Sequence, residues 1–168
     1  MSVNVDAIKA LRELSGAGVM DCRTALEDSG GDLEEAHKLL REKGFEAAAK
    51  RSEKTTNEGI VEAYIHGTGR IGAIVELNCE TDFVARTDEF RALAHDLAMQ
   101  VAAMSPRYIS PEEFGSDDSL TPGQDALLYQ PFIKDQGQTI NDLINDARGK
   151  IGENIQVKRF VRFALGEE

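Results

Sequence analysis

Three side chains in this chain are of the types that nucleophilic chemistry uses: the thiol of Cys79, the imidazole of His66 and the carboxylate of Asp82. A thiol becomes a catalyst when a base or a cation holds it as thiolate, so a working trio must meet in space. No histidine lies within a few residues of Cys79, and only the fold could bring one there. The plainer reading of Cys22 and Cys79, far apart and in apolar surroundings, is two small buried hydrophobes. Two cysteines make neither a disulfide framework nor a zinc site, and His37, His66 and His95 lack metal-ligand spacing. The stretch His66-Gly-Thr-Gly-Arg-Ile-Gly72 lacks the lysine of a phosphate loop and sits between strands. With 30 acids in 168 residues, carboxylate pairs arise by chance. No catalytic, metal or cofactor site is expected.

Recognition is the other chemistry on offer. Thr81-Asp82-Phe83-Val84 falls between an apolar run and an amphipathic segment, at a strand-to-helix turn that is ordinarily polar. Phe83 there reads in two ways. It tucks under the following helix as a hydrophobic staple, or it is an aromatic anchor offered to a partner, with Asp82 as its polar companion.

The elements that must position this turn follow from periodicity. Val5, Ile8, Leu11 and Leu14 form a helical stripe behind a capping Asn4. Val19, Cys22 and Leu26 line a second helix. Leu33, Ala36, Leu39 and Leu40 line a third, which opens on the capping pair Asp32 and Glu35 and ends at Gly44. Residues 45–57 fade from helix tail into linker. From Glu58 the period becomes two: Val61, Ala63 and Ile65 alternate with Glu62, Tyr64 and His66. A Gly67-Thr68-Gly69 turn leads to a return strand with Ile71, Ala73, Val75, Leu77 and Cys79 on one face. A long helix carries Phe90, Leu93, Ala94, Leu97, Ala98, Val101 and Met104 on one side. Residues 105–124 hold all but one of the prolines and read as a loop. A capped helix with Ile140, Leu143, Ile144 and Ala147 inward follows. In the closing strand Ile155, Val157, Val161, Phe163 and Leu165 share one face, Arg159 interrupts it, and Phe160 points the other way. The expected class is α+β: a three-helix module at 1–45, a linker at 46–57, and a core at 58–168 in which a small antiparallel three-stranded sheet packs with helices.

The formal net charge of −11 argues against nucleic acid as a partner, since phosphate binding relies on clustered Lys and Arg. No run reaches the roughly 18 apolar residues of a membrane span. The first residues lack the basic region and apolar core of a secretory signal, so a cytoplasmic location is expected.

Several motifs, in order along nearly the whole chain, carry a resemblance. They are LRELSGAGVMDCRTALEDSGGDLEEAHKLLREKG, YIHGTGRIG, IVELNCETDFVAR, QPFIKD and KIGENIQVKRFVRF. The chain resembles the bacterial elongation factor Ts family, guanine-nucleotide exchange factors for the translation GTPase elongation factor Tu. The resemblance implies an N-terminal domain similar to ubiquitin-associated domains that docks on the GTPase, with Val19 and Met20 as contacts. It implies that the Thr81–Val84 turn belongs to the core domain. There Asp82 and Phe83 push between two helices of the GTPase near its magnesium and phosphate site. It places His66 on a turn that also faces the partner. Short members pair through their core sheets, so a homodimer is implied. The chain departs from longer members in having one core unit, and only loop-like residues where many members insert a helical hairpin. Two other classes stay open on the residues alone: an adaptor working through the first 44 residues, and a small-molecule enzyme using Cys79, His66 and Asp82.

Overall fold

The computed structural model describes residues 4–115 and 117–167; residues 1–3, 116 and 168 of the expected units lie outside the described residues. The order of elements begins with three helices, α1 (Val5–Ser15), α2 (Val19–Asp28) and α3 (Leu33–Arg51). Asn4 caps α1 by accepting from the Asp6 N–H, and Asp32 caps α3 by accepting from the Glu35 N–H. Leu11, Cys22, Ala25, Leu26, Ala36 and Leu40 close a small core between them. Three residues of the expected inner stripes, Val5, Leu14 and Val19, are instead exposed. A core closed by three helices alone encloses too little volume to cover every apolar position, and the helix ends are left outside.

The expected helix end at Gly44 is wrong: α3 runs on to Arg51. A glycine inside a helix costs about 1 kcal/mol relative to alanine. Packing offsets that cost here. A Cβ built on Gly149 would meet the Cα of Gly44 at 3.5 Å, so the two glycines let α3 lie close against the C-terminal helix. Arg41 reaches Asp146 across the same crossing at 3.3 Å, and its guanidinium lies 5.6 Å from the centre of the Phe45 ring.

The second half has the expected mixed architecture. Strands β1 (Glu58–His66) and β2 (Ile71–Cys79) form a hairpin. Helices α4 (Asp82–Ala85) and α5 (Asp88–Met104) follow. The stretch expected as a loop is partly structured: it holds a 3-10 turn at Pro111–Phe114, a short helix α6 (Pro122–Asp125) and a bridge from Tyr108 to Ala126. A small hairpin, β3 (Pro131–Phe132) and β4 (Asp135–Thr139), leads into α7 (Ile140–Ile151) and the closing strand β5 (Ile155–Ala164). The main sheet has the order β1-β2-β5, all antiparallel.

One face of this sheet packs on α5 and α7. Val75, Leu77, Cys79, Phe90, Leu97, Val101, Ile140, Ile144 and Ile155 are buried in one cluster. Each large apolar side chain so buried contributes about 1.5–3 kcal/mol. Met104, at the end of the α5 stripe, remains exposed, whereas Gln100 is buried in that stripe. Gln100 donates to Gln130 Oε1 and to the carbonyl of Pro131, and accepts from the Ile133 N–H, so its amide is satisfied.

The closing strand does not keep one apolar face. A bulge opposite Glu76 and Leu77 moves the pairing from Val157 to Arg159, and Lys158 is the extra residue. Ile155 and Val157 therefore lie on the buried side, as does Phe160, while Val161 and Phe163 turn to the open side. On that side Ala63 pairs with Ile74 and Ile74 with Val161; Ile65 pairs with Gly72 and Gly72 with Phe163. Val61, Ile65, Ile74, Val161 and Phe163 are exposed there. No helix among the described residues is long and apolar enough to cross a membrane.

Candidate functional site

The turn after β2 is built from both ends of the sequence of the core. Thr81 is the N-cap of α4, and its hydroxyl accepts from the Val84 N–H at 3.5 Å. The same hydroxyl donates to Glu153 Oε1 at 2.6 Å. Glu153 Oε2 accepts from the backbone N–H groups of Glu80 and Thr81 at 3.2 and 3.1 Å. Glu80 returns the contact by accepting from the Asn154 N–H at 2.6 Å. Asn154, buried, donates to the carbonyls of Ser52 and Lys54, which bring the end of α3 to the same corner. Beneath the turn, Ala85 is buried and Val84 packs against the core cluster.

Phe83 takes no part in this packing. It is 78% exposed, the most exposed of the large apolar side chains described. The staple reading is thereby excluded, because Val84 and Ala85 fill the place beneath the turn. Asp82 is half-buried and pairs with Arg86 one helical turn on, at 2.8 Å. Such exposed pairs contribute at most about 1 kcal/mol, so Asp82 is readily released to another cation or donor.

Cys79 sits under the turn and donates its S–H to the Thr81 carbonyl at 3.1 Å. Burial first, and the nearby Glu153 carboxylate second, push its thiol up to about 11. It is held as a thiol at neutral pH, the reverse of an activated nucleophile. His66 lies at the far end of the hairpin: it pairs with Ile71, whereas Cys79 pairs with Glu58. Eight residues of strand at about 3.4 Å each separate them. The Cys79, His66 and Asp82 trio therefore does not assemble. His66 is exposed and meets the Tyr64 hydroxyl through Nδ1 at 2.9 Å. Among the described residues, no group of three or more His, Cys, Asp or Glu side chains is placed to hold a metal ion.

Val19 and Met20 form the first turn of α2, and both are exposed. Gly18 is the N-cap and supplies no side-chain bond to that turn. No hydrogen bond or ion pair among the described residues joins α2 to the Phe83 turn, so the sequence-predicted residues occupy three separate places: the α2 start, the Phe83 turn and the hairpin tip.

Residues 18–119, more than half of the chain, match the family described as Elongation factor TS. The chain is 47% identical over 190 residues to an elongation factor Ts of Carboxydothermus hydrogenoformans, covering 95% of this chain and 88% of the relative. It is 45% identical over 196 residues to that of Thermotoga neapolitana, covering 100% of both. The chain belongs to the elongation factor Ts family. Both alignments are longer than the 168 residues of the chain, so these relatives of the elongation factor Ts family carry segments absent here.

Sequence reading missed Glu80, Glu153 and Asn154. Glu153 reaches back 72 residues to Thr81, and nothing local marks such a contact. The one available signal was the Gly-Glu-Asn run at 152–154, an αL helix stop followed by two polar residues where solvent-facing turn chemistry would do.

Proposed function

We propose that the protein binds elongation factor Tu and promotes release of its GDP during translation elongation, with the Asp82-Phe83 turn entering between two helices of the GTPase beside its magnesium and phosphate site. The observation that carries this reading is Phe83, 78% exposed on a turn whose start is tied down through Glu80 and Thr81. An aromatic side chain in water with a fixed mount is what a pocket on another protein would receive.

The mechanism is linkage. A factor that binds nucleotide-free GTPase better than the nucleotide-bound form weakens nucleotide affinity by the same factor. Each tenfold weakening requires about 1.4 kcal/mol of differential binding. Burying Phe83 supplies roughly 1.5–3 kcal/mol, and the part available only without nucleotide drives release. Asp82, freed from Arg86, competes for groups near the magnesium site. Thr81 and Val84 fix the turn's approach, while Val19 and Met20 dock the ubiquitin-associated-like module on the GTPase and His66 adds a contact from the hairpin tip. No covalent bond changes, so the protein works without a catalytic residue or cofactor, and its acidity keeps nucleic acid from competing.

The second partner in this reading is another copy of the chain. The open sheet face presents Val61, Ile65, Ile74, Val161 and Phe163 in adjacent rows, and a contiguous apolar face of this kind favours self-association. Light scattering should give twice the 18.4 kDa chain mass, and Phe163→Asp should return the single mass.

The test of the function is release of fluorescent GDP from elongation factor Tu with and without the protein. Acceleration that saturates with factor concentration is expected; an unchanged release rate overturns the reading.

A further inference from the structure

We propose that Glu153 is a positioning residue for nucleotide exchange: its carboxylate sets the Thr81–Val84 turn so that Phe83 points outward in one fixed direction. The inference rests on the exchange reading above. Three donors converge on this one carboxylate, the N–H groups of Glu80 and Thr81 and the Thr81 hydroxyl at 2.6 Å. They are the last backbone donors before α4 and the side chain that caps it. A four-residue helix has too few internal bonds to hold its own direction. The carboxylate supplies the missing constraint, and hydrogen bonds to a charged acceptor are about twice as strong as neutral ones.

Glu153 is itself held. Gly152, in the left-handed conformation, ends α7 by donating to the Arg148 carbonyl. Asn154 on its other side donates from its backbone to Glu80 and from its side chain to Ser52 and Lys54. Phe83 therefore inherits its position from α7 and β5, which belong to the buried core, and not from the loop that carries it. A wedge that works by differential binding needs this: a side chain free to swing away adapts equally to both states of its target and drives nothing.

The chemistry separates geometry from charge. Glu153→Gln keeps the length and an acceptor oxygen, and the amide it introduces can donate to the Thr81 hydroxyl. Glu153→Asp keeps the charge but falls one methylene short. Glu153→Ala should lower the maximal GDP-release rate at saturating factor about tenfold. The half-saturating concentration should move by less than about threefold. The order of maximal rates should be wild type, then Glu153→Gln, then Glu153→Asp with Glu153→Ala. Thr81→Val, which removes only the hydroxyl, should fall between wild type and Glu153→Ala. Circular dichroism establishes that each variant is folded at the assay temperature. Amide hydrogen exchange of residues 81–85 in the free protein should quicken in the same order.

A folded Glu153→Ala that reaches the wild-type maximal rate overturns the proposal. So does a loss confined to half-saturation, or Glu153→Asp outperforming Glu153→Gln. If Glu153→Ala does not fold, the Glu153→Gln and Glu153→Asp pair and Thr81→Val decide by the same order. If wild-type protein itself leaves GDP release unchanged, the exchange reading fails, and the amide exchange order still reads whether Glu153 holds the turn.

Discussion

Phe83 and Met20 are both large, apolar and mostly in water, at 78% and 68% exposure, yet they stand on different mounts. The Phe83 turn is a four-residue helix with a side-chain cap, an external carboxylate clamp and a buried Ala85 below it. The Met20 turn opens a ten-residue helix on Gly18, which supplies no side-chain cap bond. Phenylalanine has two side-chain torsions and a rigid ring; methionine has three and adapts to irregular surfaces. A residue that must discriminate between two states of a partner needs a fixed direction, whereas one that only docks gains from adapting. On the exchange reading proposed above, the difference in mounting suits Phe83 to the part of a wedge and Met20 to that of a foothold.

The hardest test of that separation is Phe83→Ala. Loss of an aromatic anchor at an interface centre costs about 2 kcal/mol or more, which is about thirtyfold in the maximal GDP-release rate. Because Phe83 contributes nothing to the core, the melting temperature of the free protein should stay within about 2 °C of wild type. A buried phenylalanine would behave oppositely, costing about 3–5 kcal/mol of stability. Early melting with normal exchange once folded would put Phe83 back in the core and erase the comparison.

Met20→Ala should act on the other kinetic quantity. The half-saturating concentration of factor should rise about fivefold, equivalent to about 1 kcal/mol of uniform binding, with the maximal rate unchanged. Should Met20→Ala lower the maximal rate as much as Phe83→Ala does, wedge and foothold are one element and the difference in mounting has no functional meaning.

Much of this arrangement could be read from the residues, and the exceptions share a cause. α5 and α7 announce themselves because their apolar stripes keep a 3.6 period and a Thr cap precedes each. The continuation of α3 past Gly44 is invisible locally, since the reason for it is Gly149, more than a hundred residues away. The split of β5 into two faces comes from a bulge set by its neighbour β2, which a two-residue period cannot encode. The exposure of Phe83 was a real alternative in the sequence because the same motif fits a staple; only the placement of Val84 and Ala85 beneath the turn decides it. The clamp by Glu153 left no trace beyond the Gly-Glu-Asn run after α7, for a carboxylate in a chain with 30 acids carries no mark of its own.

A last expected effect, on stability and not on exchange, concerns the wedge's mount at alkaline pH. Cys79 lies beneath the turn, and burial followed by the Glu153 carboxylate raises its thiol from 9.0 to about 11. In the unfolded chain the thiol loses its proton near its ordinary value, whereas in the folded protein it keeps it. Between roughly pH 9 and 11 the unfolded state therefore binds fewer protons than the folded one, and stability must fall as pH rises. Below that window both states hold the proton and Cys79 contributes no pH dependence. The fall amounts to at most about 1.4 kcal/mol per pH unit across the window. Lysines and tyrosines titrate there too, so the informative quantity is the difference in slope between wild type and Cys79→Ala. Cys79→Ala melts lower at neutral pH, because it removes buried volume, but its melting temperature should decline less steeply from about pH 9 upward. Equal slopes would mean that Cys79 ionises in the fold as readily as outside it, and that the ground beneath Phe83 is wetter and looser than its contacts imply.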